Sequence, residues 1–139
     1  IFTKAEWLSG SITSELISNK TDFIVLAGFI WLVPSDLVSS FPAKIINIHP
    51  ALLPNYGGKG MYGMAVHQKI IANNEHESGI TIHLVNEEYD KGNTLFQAKT
   101  KIEDKETPES LAAKIHELEY EYFPEVVEKY ISEHKEKGR

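Results

Sequence analysis

Residues 44–54, KIINIHPALLP, constrain the fold of this chain more than any other stretch. A short apolar approach leads into Asn47, Ile48 and His49, and Pro50 then ends any strand, because proline has no N–H to give a ladder. The stretch therefore reads as a short buried strand that delivers two polar side chains to its own carboxyl end. Strand side chains alternate, so Asn47 and His49 point to one face with Ile45, while Ile46 and Ile48 point to the other. Asparagine offers a neutral amide donor and histidine a proton near neutral pH, a pair that suits a reaction building negative charge on a carbonyl oxygen. Taken alone, the pair reads first as a strand end whose side chains cap neighbouring backbone.

A buried strand needs covering layers, and 139 residues suffice for one α/β domain with a real core, at the small end of that class. A single domain over residues 1–139 is expected. The formal charge of -6 and the lack of a basic cluster argue against a nucleic-acid surface. There is no cysteine, which excludes disulfides and thiolate chemistry. No apolar run approaches a membrane span, and the first residues lack the layout of a signal peptide, so no membrane partner and a cytoplasmic location are expected. The sequence opens on Ile1 rather than methionine, and a fragment is one explanation.

Around the central strand the elements follow in order. Thr3 and Glu6 form a capping box, and Ile12, Leu16 and Ile17 set a helix over residues 11–19. The continuous apolar run FIVLAG at residues 23–28 predicts a central strand covered on both faces of a parallel sheet. Pro34, Leu37, Val38 and Phe41 mark a short helix. Residues 55–63, NYGGKGMYG, hold four glycines in nine positions and form an irregular loop, without the spacing of a phosphate-binding motif. A helix over residues 64–74 follows, in which His67 reads as packed or capping. Two alternating strands, residues 78–85 and 94–102, predict an antiparallel addition, with His83 on the wetter face. Thr107, Pro108 and Glu109 open a helix carrying Leu111, Ile115 and Leu118 inward, which Pro124 is expected to break or kink. The resulting fold class is α/β: an open, mostly parallel twisted sheet with flanking helices.

Open α/β sheets place ligands at the carboxyl ends of their strands, where residues 28–33, 47–49 and 86–92 would meet. Asp90 would then supply a carboxylate that favours the imidazolium of His49. No serine or cysteine sits in a nucleophile elbow, so direct transfer between two bound substrates fits better than an acyl-enzyme. His49, His67 and His83 match no usual metal-ligand spacing, and no metal is expected.

VLAGF at residues 25–29, NIHPALLP at 47–54, EEYDKG at 87–92 with Gln97 following, and LEYEYFPE at 118–125 together resemble the glycinamide ribonucleotide formyltransferase family of purine synthesis. The resemblance runs over nearly the whole chain and implies the Rossmann-like formyltransferase fold. It implies direct transfer of a formyl group from 10-formyltetrahydrofolate to the amine of glycinamide ribonucleotide, in a monomer or homodimer. On this pattern Asn47 and protonated His49 stabilise the oxyanion and Asp90 poises His49. Ile30, Trp31, Leu32, Val33, Asn86, Glu87, Glu88 and Tyr89 line the folate pocket, and His116, Glu117, Leu118 and Glu119 face the amine substrate.

The chain also departs from that pattern. No glycine-rich, Ser/Asn-containing substrate-phosphate loop precedes Phe23, so the chain is expected to be the carboxyl-terminal two thirds of such an enzyme. Trp31 stands where many relatives carry arginine, the glycine-rich loop is longer than usual, and Lys4 is a candidate substitute basic contact. Related alternatives are a methionyl-tRNA formyltransferase, which would need a basic carboxyl-terminal domain, and a formyltetrahydrofolate hydrolase. A ligand-binding or assembly domain that keeps the fold without activity is the rival from another class.

Overall fold

A computed structural model describes residues 3–28, 31–86 and 93–135 of the chain. The first helices are α1 (Lys4–Ser9) and α2 (Ser11–Ser18). Thr3 and Glu6 form the expected reciprocal box, the Thr3 hydroxyl accepting from Glu6 N–H at 3.2 Å and the Glu6 carboxylate from Thr3 N–H at 3.1 Å. Gly10 separates the two helices at φ 87°, a left-handed conformation open to glycine at little cost.

The strands are β1 (Ile24–Leu26), β2 (Ile45–His49), β3 (Glu77–Leu84) and β4 (Thr94–Lys101), hydrogen-bonded in the order β1-β2-β3-β4. Helix α3 (Ser35–Ser40) joins β1 to β2, and α4 (Met64–Ala72) lies between β2 and β3. Helix α5 (Pro108–His134) follows β4. Strand β1 pairs with β2 in parallel, whereas β2 with β3 and β3 with β4 are antiparallel. The sheet is thus mixed: the expected antiparallel addition is present as β3 and β4, and the described parallel pair is β1 with β2.

Strand β1 also departs from expectation. It ends the order of described strands, and only the Ile24 and Leu26 face packs on a core, leaving Val25 44% exposed. The predicted double cover belongs instead to β3, where Ile80, Thr81, Ile82 and His83 are all buried.

Alternation in β2 divides the interior. Ile46 and Ile48 join Ile80, Ile82, Val66, Ile70, Leu111 and Ile115 in one core beneath α4 and α5. Ile45 faces the other core, with Trp7, Ile12, Val33, Leu37 and Phe41 from α1 to α3 and the segment before α3. Each fully buried aliphatic side chain contributes about 1.5–3 kcal/mol.

Helix α5 continues for 27 residues through Pro124, so the break that the proline suggests does not occur. The carbonyl deprived of its helical partner belongs to Tyr120, on the exposed side of the helix, where water can serve it. Burial of Leu111 and Ile115 before the proline and Tyr130 after it keeps both halves on the sheet.

Candidate active site

A cleft of about 710 Å³ opens beside the carboxyl ends of β1 and β2, a size suited to an organic substrate. Asn47 and His49 reach it from alternate positions of β2, as their parity requires. The partner residues across β3 are His83 opposite Asn47 and Thr81 opposite His49.

His83 is the main residue that sequence reasoning missed. Expected on a wet face, it is 1% exposed and lines the cleft, because the polar face of β3 meets the site rather than solvent. Its Nδ1–H donates to Leu84 O at 3.3 Å, leaving Nε2 to accept from Asn47 Nδ2 at 3.3 Å. Asn47 is thereby held with one amide hydrogen spent on His83 and a second available for chemistry. Its Oδ1 is buried and has no hydrogen-bond partner among the described residues.

His49 is buried, and its Nε2–H donates to Tyr56 O at 2.7 Å. That bond fixes the neutral tautomer, so a second proton taken up by the ring goes to Nδ1. The backbone just beyond His49 is pinned from below. The Thr81 hydroxyl donates to Ala51 O at 2.7 Å and accepts from Leu53 N–H at 3.0 Å, and Gln97 Nε2 donates to Leu53 O at 2.9 Å.

Trp31, Leu32 and Val33 line one side of the cleft, with Asn86 also among the lining residues. The Trp7 indole N–H donates to Leu32 O at 2.9 Å and so ties α1 to this wall. Helix α5 supplies His116 and Glu119, one turn apart, with His116 Nδ1 3.1 Å from Glu119 Oε1. Burial lifts the Glu119 carboxyl above its ordinary value, and the neighbouring His116 works against that lift. His67, from α4, is buried at the cleft with Nδ1 unpartnered among the described residues. Burial pushes its imidazole below the ordinary value, with His116 and His49 adding to the effect.

Glu117 and Leu118, expected beside the amine substrate, do not line this cleft: Glu117 is exposed and Leu118 packs on the core beneath α5. A helix turns 100° per residue, so four consecutive residues cannot share one wall. Ile30, Glu87, Glu88, Tyr89 and Asp90 lie outside the described residues.

Residues 2–127 match the family model described as formyl transferase. The chain is 44% identical over 133 residues to a chloroplastic phosphoribosylglycinamide formyltransferase of Arabidopsis thaliana, covering 91% of this chain and 46% of that protein. It is 38% identical to the phosphoribosylglycinamide formyltransferase of Haemophilus influenzae, over 86% of this chain and 54% of that one. The crystal structure of phosphoribosylglycinamide formyltransferase from Bacillus halodurans superposes with a TM-score of 0.80 at 34% identity, covering 88% of this chain and 60% of that one. The chain thus spans about half the length of these curated relatives. The family model that matches most of the chain, together with the fold and identity shared with these proteins, shows that the chain belongs to the formyl transferase family.

Proposed function

We propose that this chain carries the reacting half of a phosphoribosylglycinamide formyltransferase, moving a formyl group from 10-formyltetrahydrofolate to the amine of glycinamide ribonucleotide. One observation carries the reading: the Asn47 amide and the His49 imidazole enter the same cleft as the Glu119 carboxylate. An acceptor and a polar donor pair therefore share one chamber of substrate size.

In the proposed reaction the amine nitrogen attacks the formyl carbon and the carbonyl π pair moves onto oxygen. The Asn47 amide and a protonated His49 donate to that oxygen as its charge grows, an interaction stronger in the transition state than before it. Collapse breaks the bond from the formyl carbon to the folate nitrogen, and the amine loses a proton as that nitrogen gains one. Asp90 is proposed to poise His49. Trp31, Leu32, Val33 and Asn86 are proposed to hold the folate, together with Ile30, Glu87, Glu88 and Tyr89, and Lys4, which lines the same cleft, is a candidate for its carboxylate end. Glu119, with His116 against it, is proposed to receive the amine substrate. A cytoplasmic setting is proposed, the Arabidopsis relative being named as chloroplastic.

The assay follows folate product with the amine substrate present and then omitted. Formyl transfer should require the amine, and His49→Ala should lower kcat by about 10²–10⁴-fold while the fold is retained. Folate turnover of equal rate without the amine would overturn the transferase reading in favour of hydrolysis.

A further inference from the structure

We propose that Tyr56 is a positioning residue for His49, its side chain anchoring a backbone carbonyl that decides which ring nitrogen of the histidine holds the proton. The inference rests on the reading of His49 as the group that acts at the formyl carbon.

The first support is direct contact. Tyr56 O accepts from His49 Nε2–H at 2.7 Å, and His49 is buried, so water competes weakly for this bond. A carbonyl can only accept. It therefore holds the proton on Nε2 in the neutral ring.

The second support is backbone conformation. Tyr56 has φ 57°, a left-handed value that glycine adopts freely and tyrosine does not. Three other described non-glycine residues share this property: Lys20 and Asn74 close helices α2 and α4, and Ala43 lies in the turn from α3 to β2. Such sites have ordinary explanations in helix and turn termination. Tyr56 follows no helix, and two glycines stand directly after it, at Gly57 and Gly58. The chain places a bulky residue in the strained position where a glycine is at hand, which points to a task for the side chain.

The third support is what that side chain does. The ring packs against the larger core, and the hydroxyl accepts from Asn73 Nδ2 at 3.0 Å. Asn73 is the C-cap of α4, so the glycine-rich loop is moored to a helix end through tyrosine. The route runs from α4 through Asn73 and Tyr56 to the His49 ring, and neither Asn73 nor Tyr56 lines the cleft.

The test uses ¹⁵N-histidine-labelled protein, in which nitrogen chemical shifts separate the two neutral tautomers of His49. The unmodified protein should show the proton on Nε2. Tyr56→Phe and Asn73→Ala each remove one side of the mooring bond and should each yield a mixed tautomer signature. Both should lower kcat by about tenfold with KM for either substrate changed less than twofold. Asn73→Ala, at an exposed helix end, serves if Tyr56→Phe does not fold. A neutral ring with its proton on Nδ1 rather than Nε2 in the unmodified protein overturns the proposal, as does an unaltered signature in a folded variant. The spectra need no substrate: a tautomer that shifts as expected in a protein without formyl transfer would remove the functional reading and leave this coupling in place.

Discussion

The Thr81 hydroxyl meets three partners: it donates to Ala51 O at 2.7 Å and accepts from Leu53 N–H at 3.0 Å and Gln97 Nε2 at 2.9 Å. Thr81→Val keeps the volume and deletes the hydroxyl, which strands Ala51 O and Leu53 N–H against the sheet. We expect a loss of about 2–3 kcal/mol in urea unfolding, with Thr81→Ser recovering most of it. A valine variant as stable as the parent would show that these backbone atoms find other partners. At this scale the site was partly legible. Asn47 and His49 announced themselves because a proline cut their strand short beside them. Thr81 and His83 did not, since polar alternation in a strand looks the same whether the polar face meets water or a cleft. Only the pairing register, which sets His83 opposite Asn47 and Thr81 opposite His49, tells the two apart.

Helix α5 shows the same division at the level of elements. Its start was legible at Thr107-Pro108-Glu109: Thr107 is the N-cap and accepts from Ser110 N–H at 3.1 Å, while Ser110 Oγ, which the sequence reading did not mark, accepts from Thr107 N–H at 3.0 Å. Its passage through Pro124 was not, because propensity is local and the packing of Ile115 and Tyr130 on either side is tertiary. Thr107→Ala should cost about 1 kcal/mol, and because α5 packs on β2, β3 and β4 the loss should appear in global unfolding rather than as a frayed first turn. Thermal unfolding followed by circular dichroism checks this, with a midpoint lower by a few degrees as the expected result. Strand direction was legible in part, since the alternation of β3 and β4 marked them as an antiparallel addition, which their pairing bears out. Periodicity located β2, β3 and β4 to within a residue or two, yet whether neighbours run parallel depends on connections that carry no periodic signal.

For the molecule as a whole, the cleft that makes chemistry possible also makes stability depend on pH. His67 is buried beside it, and burial, with His116 and His49 adding their charge, holds its imidazole below the ordinary histidine value of 6.5. A histidine with a depressed folded pKa binds its proton more readily when unfolded. Its contribution to stability is therefore complete above about pH 6.5 and is lost as pH falls from there towards the lowered folded value. Glu119 acts with the opposite sign: its raised carboxyl favours the fold at pH values below the ordinary glutamate value of 4.5 and loses that contribution as pH rises through the folded value. The two windows overlap in mildly acid solution, so the parent curve alone cannot separate them. Comparison with His67→Gln can, since glutamine fills similar space without titrating. Between pH 7.5 and 5.5 the parent should lose stability relative to the variant, each unit of pKa depression corresponding to about 1.4 kcal/mol once the window is crossed. Urea unfolding at stepped pH measures the difference, and parallel curves would mean that His67 is hydrated in the native state and no longer forced to stay neutral. Such a result would also alter the view of the cleft, because a buried neutral imidazole next to His49 spares that ring a second positive charge, and a hydrated, protonated one would not.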